Sequence, residues 1–202
     1  MNRVLAYKFN DYWRDIGTAA AFYKASMEIV SQQARFSLNG SWPILTAEHI
    51  SPPGKDFEKV NVVNSIVSPG CVVRGRVENS ILSPGVWISD EAVVTNSVLM
   101  SKVFVGYHSI VNRCILDEQV NIGKFCYIGF RGNLLSGDQD TTVLGKGVVV
   151  SPYTAISHNC KILPYVGPAD FITHMVPSGT IVSRQPVSEN ALVLEKLGAN
   201  ER

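Results

Sequence analysis

The sequence predicts a mainly-β chain built as a parallel β-helix, a stack of triangular coils, and three observations predict it. Aliphatic residues recur in rows: Val67, Leu82, Leu99 and Leu116; Val73, Ile88, Val105 and Ile122; Val94, Val111 and Ile128. Steps within a row are 15 to 17 residues, and steps between rows are 5 or 6. After a break, the six-residue rhythm resumes at Leu144, Val150, Ile156 and Ile162. A six-residue strand cannot hide its apolar face alone, whereas stacked copies share one continuous core.

The unit is a hexapeptide, clearest in Ile122–Tyr127 leading into Ile128-Gly129, and in Val105–Ile110 leading into Val111. An aliphatic residue opens the strand, and a small or apolar residue comes four places on. That second row reads Cys71, Val86, Ala92, Val98, Val103, Ser109, Ile115, Val120 and Cys126, and later Val148, Thr154, Cys160 and Val166. Both rows are expected to point inward. Three hexapeptides give about 18 residues per coil, so the shorter repeat implies tightened corners, with strands stacked ~4.8 Å apart. Asn64, Asn79, Asn96 and Asn112 each precede the first inward pair of a coil. Asn tolerates the positive φ of a tight corner, so these four read as architecture.

Taken from the N-terminus, residues 1–35 are of another kind. Val4–Phe9 reads as a strand, Thr18 as a helix N-cap, and residues 19–33 as an amphipathic helix with Phe22, Met27, Ile29 and Val30 among its apolar residues. Between them lies Tyr12-Trp-Arg-Asp-Ile-Gly-Thr18. The Asp15 carboxylate could hold a divalent cation and Gly17 allows close backbone approach, but one carboxylate does not make a Mg²⁺ site, and a turn with a cap accounts for the same residues. Residues 36–59, with Trp42-Pro43 and Ser51-Pro-Pro-Gly54, read as a linker. The β-helix is expected over 60–166, interrupted at 136–142 by a polar loop, Ser-Gly-Asp-Gln-Asp-Thr-Thr, that suits either a binding role or a tolerated insertion. A tail over 167–202 follows, with a short helix at 189–197.

Composition excludes several classes. A net charge of +1 over 202 residues, with no basic run, argues against nucleic acid. No apolar stretch approaches the ~18 residues a membrane span needs, and Met1–Ala6 lacks the apolar core of a signal peptide, so a cytoplasmic protein is expected. The four cysteines have no metal-like spacing. Cys71, Cys126 and Cys160 occupy inward slots and read as reduced core thiols.

Tyr12–Thr18 with its helix resembles the end of the catalytic domain of bacterial glucose-1-phosphate adenylyltransferases (ADP-glucose pyrophosphorylases). So do Ser41-Trp-Pro-Ile44 with Thr46, the Pro52-Pro53 pair, Asn64–Cys71, Asn79–Gly85, Asn96–Met100 and Arg113–Asp117, in collinear order over roughly residues 4–129. The resemblance implies a left-handed parallel β-helix preceded by a short α/β segment from the end of a nucleotidyltransferase domain. It implies a parent activity joining ATP and glucose 1-phosphate into ADP-glucose and pyrophosphate, in glycogen synthesis. Asp15 matches one of two family carboxylates on the catalytic Mg²⁺. Arg113 matches an arginine of the region implicated in activator binding, which makes a sugar phosphate or other small anion the expected effector. The family's Gly-rich nucleotide loop, sugar-phosphate segment and second metal carboxylate have no counterpart here, so this chain alone is expected to be inactive, with Mg²⁺ needed only in the intact parent. The expected partners are that catalytic domain and further copies in a homo-oligomer. The segment after Gly129 departs from the family pattern, which touches the effector site rather than the family.

Other readings compete. Hexapeptide acyltransferases use a His as general base, and His108 and His158 stand at corners, although no CoA site is evident. A non-catalytic β-helix regulatory subunit is a second alternative. A related sugar nucleotidyltransferase such as a mannose-1-phosphate guanylyltransferase is a third, which Tyr12–Thr18 together with the Asn-Ser-Ile-x-Ser-Pro-Gly motif disfavours.

Overall fold

The structure, a computed structural model, describes residues 3–10, 12–31, 61–130 and 140–185. The expected β-helix forms. Its strands fall into three parallel sheets, one per side of the triangular coil. Face I holds Val72–Val73, Trp87–Ile88, Phe104–Val105, Asn121–Ile122 and Val149–Val150. Face II holds Val62–Val63, Arg76–Glu78, Val93–Thr95, Ile110–Asn112, Tyr127–Phe130, Ala155–Ser157 and Met175–Val176. Face III holds Ile66–Val67, Ile81–Leu82, Val98–Leu99, Cys114–Leu116, Thr142–Leu144, Lys161–Ile162 and Ile181–Val182. Every pairing is with the coil before or after, as in Val93 with Ile110 and Ile110 with Tyr127.

The aliphatic rows supply the core. Leu82, Leu99, Leu116, Ile88, Val105, Ile122, Val94, Val111 and Ile128 are all buried in one continuous cluster that runs on through Leu144, Val150, Ile156 and Ile162 to Val176. Each corner carries its own column of left-handed residues. Between faces II and III stand Asn64, Asn79, Asn96, Arg113 and Asn159. Between III and I stand Lys102, Gln119 and Tyr165, and between I and II stand Glu91, His108, Phe125 and Tyr153. The positive φ turns most of these corner N–H groups along the stack onto a carbonyl of the preceding coil, as in Asn96 N–H to Glu78 O, Gln119 N–H to Ser101 O and Phe125 N–H to Tyr107 O. The corners thereby continue the ladder that the strands begin.

Several expectations need correction. Val98 and Ile115 do not face the core. They point outward on face III and are buried by the helix Ala19–Val30 (α1), in a cluster with Tyr23 flanked by Phe22, Met27, Ile81 and Val143. The inward small slot beside them belongs to Ser80, Ser97 and Cys114. These residues form a column: Ser97 Oγ accepts from Cys114 N–H at 3.1 Å and donates to Thr95 O at 2.7 Å, and Ser80 Oγ does the same for Ser97 N–H and Glu78 O. The fourth left-handed corner is Arg113, while Asn112 closes the strand before it. Val4–Phe9 forms no strand and pairs with none among the described residues. Val4, Leu5 and Tyr7 are 92%, 85% and 90% exposed, because alternation makes a strand only when an edge is there to receive it.

The polar loop ends earlier than expected. Thr141 and Thr142 are buried, and Thr142 opens a strand. The solenoid also runs past residue 166, since Met175–Val176 and Ile181–Val182 stack on Ala155–Ile156 and Lys161–Ile162. The rhythm is hidden there because a 3-10 turn at Pro168–Asp170 replaces the face I strand of that coil. Thr18 caps α1 as expected, its hydroxyl accepting from Ala21 N–H at 3.1 Å. The linker at 36–59 and the helix at 189–197 lie outside the described residues. All four cysteines are buried and free, and burial pushes each thiol up.

Candidate functional site

The site grows from the docking of α1. Its apolar stripe covers the outward side chains of face III, which fixes the helix over several coils at once. Tyr23 reaches past that contact to the II/III corner, where its hydroxyl donates to Asn96 O at 2.7 Å. Burial raises the phenol above its ordinary range, so it remains a donor. The Arg113 guanidinium lies 6.0 Å from the Tyr23 ring centroid.

Helix and corner leave a cavity of about 690 Å³ between them, lined on one side by Lys24, Met27 and Glu28 of α1 and on the other by Asn64, Asn79, Asn96 and Arg113. The asparagines form a ladder. Asn64 donates to Asn79 Oδ1 at 2.7 Å, Asn79 to Asn96 at 3.5 Å and Asn96 to Asn112 at 3.3 Å. Arg113 ends it, and its Nε is buried with no hydrogen-bond partner among the described residues. A buried guanidinium N–H without an acceptor is costly to leave unmet.

The acidic group at the rim is already committed. Glu28 accepts two bonds from Arg14, at 2.9 and 2.8 Å, and a third from Tyr12 at 3.0 Å. Arg14 holds its carboxyl below the ordinary range. The charge left toward the cavity is that of Lys24 and Arg113, so the cavity suits a small anion.

The Arg14–Glu28 clamp also places the Tyr12–Thr18 segment on α1. There Asp15 is exposed, and one of its oxygens accepts Gly17 N–H at 3.0 Å in a local turn. No group of three or more His, Cys, Asp or Glu side chains converges among the described residues. The residues present give Mg²⁺ one carboxylate, short of a binding set, and no step through the metal is derived from them. His108 and His158 stand at different corners. His108 stacks on Phe125, and His158 keeps its Nδ1 buried without a partner among the described residues. They do not form a site together.

The structure thus brings Arg113, Asn64, Asn79 and Asn96 into one cavity and leaves Asn112 and Asp15 outside it. Lys24 and Tyr23 escape notice in the sequence, where they read as ordinary helix residues. The signal that could find them is the wide apolar face of α1, which requires a sheet beneath it.

Comparison with known proteins bears on the fold and the family. The family model described as GlmU-like, C-terminal hexapeptide matches residues 52–151. The glucose-1-phosphate adenylyltransferase of Pseudothermotoga lettingae is 40% identical over 187 residues, covering 89% of this chain and 44% of that protein. Its namesake in Acetivibrio thermocellus is 35% identical over 173 residues, covering 82% and 41%, and that in Thermomicrobium roseum is 35% identical, covering 90% and 44%. The chain spans about two fifths of the length of the curated relatives it matches. No helix among the described residues is long and apolar enough to cross a membrane.

Proposed function

The chain belongs to the family of the glucose-1-phosphate adenylyltransferases, matching their C-terminal part, and from that premise we propose that it is the regulatory part, receiving a small anionic effector between α1 and the Asn–Arg113 corner. The observation that carries this reading is that Arg113 and Lys24 line one cavity in which Glu28, the one carboxylate among the described lining residues, is already bonded to Arg14. A phosphate there would accept from Arg113 and from Lys24, two cations on two different elements. Its binding would therefore draw α1 toward the coils, along with the Tyr12–Thr18 segment that α1 carries. That linkage is how an effector on the solenoid would reach the Tyr12–Thr18 segment, Asp15 included.

The 202-residue polypeptide by itself carries no turnover in this reading, because one exposed carboxylate offers neither a nucleotide cradle nor a metal pair. Its partners are a nucleotidyltransferase domain and further copies of itself, in the cytoplasm. Titration calorimetry with inorganic phosphate and with a hexose phosphate tests the effector reading. Binding to the wild type that falls at least about tenfold in Arg113→Gln supports it, and equal binding by both proteins overturns it. Pyrophosphate release from ATP and glucose 1-phosphate by the pure 22.1 kDa chain would overturn the inactivity.

A further inference from the structure

We propose that the corner between faces I and II is a self-association surface that receives a second copy of this chain, packed antiparallel about a twofold axis near Tyr107 and His108. This rests on the reading of further copies as partners and adds the surface they use.

The corner is an aromatic ridge. His108 and Phe125 stack with ring centroids 5.4 Å apart and planes 13° from parallel, and Phe125 and Tyr153 stack at 5.2 Å and 7°. Tyr107 stands edge-on to both His108 and Phe125. The rings cover faces of one another, with Phe125 stacked against both His108 and Tyr153, so the ridge is a single stack. It offers apolar area, since Tyr107, Phe125 and Tyr153 are 44%, 37% and 63% exposed. A contiguous wet aromatic surface is rare on a monomer and common at the centre of an interface.

The backbone sharpens the point. His108, Phe125 and Tyr153 hold φ of 54°, 57° and 61°. The II/III corner meets the same demand with Asn64, Asn79 and Asn96, which suit that conformation better. Bulky rings in left-handed corners cost backbone energy, and the chain leaves part of their surface uncovered, most of all at Tyr153. A partner would cover that remainder.

Charge selects the partner and its direction. Asp90 and Glu91 lie one coil toward the N-terminus from Tyr107 and His108, and Lys124 lies one coil toward the C-terminus, all three exposed. An antiparallel second copy sets the acidic pair of each chain on Lys124 of the other, twice over. A parallel copy would set acid on acid and lysine on lysine. The pattern is self-complementary in the way an isologous interface requires. Asp90 already lies 3.9 Å from Arg74, so Glu91 is the carboxylate to reverse.

Sedimentation equilibrium on the full chain tests the proposal. The wild type is expected at twice 22.1 kDa or a multiple of it. Phe125→Asn with Tyr153→Asn, which relieves the corners while removing the ridge, should weaken association at least about tenfold. Glu91→Lys and Lys124→Glu should each weaken it, and the two together should restore it. A monomeric wild type overturns the proposal. So does association that is indifferent to the Asn pair, or charge reversal that is not restored in the double variant. A monomer that still binds phosphate through Arg113 would sink this surface and leave the effector reading standing.

Discussion

Two regions of this molecule handle the same apolar residue types in opposite ways. In the solenoid, Leu99, Leu116 and Ile122 are fully buried, and the ladder through strands and corners meets the backbone of each coil from the coil beside it. In residues 3–17, Val4, Leu5, Tyr7 and Trp13 stand in water, at 71% exposure or more. The first region is its own partner because it repeats. The second leaves such groups exposed, and among the described residues it is held to the rest through α1, by the Arg14–Glu28 clamp and the Tyr23 anchor. Stability is therefore divided along the chain: the repeat is held by its own coils, and the non-repeating segment is held to it through α1.

Substitutions can break that contrast, and the largest effect is expected at Gly129. Its φ is 76°, and an added Cβ would lie 1.9 Å from Asn112 O, so Gly129→Ala must shift backbone in the heart of the stack. Loss of cooperative folding, or a drop of more than about 3 kcal/mol in urea, is expected. Leu116→Ala should follow, at about 3 kcal/mol for a cavity in a core with no room to collapse. Ser97→Ala comes next, at about 2 kcal/mol, because a buried backbone N–H loses its acceptor. That N–H belongs to Cys114. All three should appear as global urea shifts.

Changes in the other region should not. Tyr23→Phe removes one hydrogen bond from the helix anchor, worth about 1 kcal/mol. It should speed amide exchange in α1 while leaving the coils protected. The smallest effect is expected from acid. The Glu28 carboxyl is held low by Arg14, so the clamp contributes fully above the ordinary carboxylate range. It is lost as pH falls through the lowered value. Exchange in residues 12–18 should rise on that descent with no global unfolding. If Tyr23→Phe or acid instead melted the coils, the division between the regions would be wrong.

The coils are legible in the sequence because inward aliphatic residues recur at a fixed step, which nothing but stacking explains. Val98 and Ile115 mislead because a residue buried beneath a docked helix looks the same, letter for letter, as one buried in the core. The serine column hides for the converse reason. Ser80 and Ser97 are polar, and only the structure shows that their hydroxyls replace a corner's missing backbone acceptor. One coil length beyond Asn96 leads to Arg113, so the fourth corner is available to register, although residue type alone points to Asn112. Of the site, Arg113 can be read and the cavity cannot, since it exists only where α1 crosses the corner.

The spacing of paired strands also sets an order of events. Ile110 pairs with Tyr127 across one ordinary coil, whereas Tyr127 pairs with Ala155 across a span more than half as long again. A chain that closes short, equal loops adds coils as a zipper adds teeth. At the longer gap the next tooth must be found across a wider search, at an added closure cost of several tenths of a kcal/mol, about 0.6 kcal/mol for each doubling of loop length. Residues 61–130 should therefore assemble first. The coils beyond 140 should join as a second kinetic phase, and deleting part of residues 131–139 should merge the two.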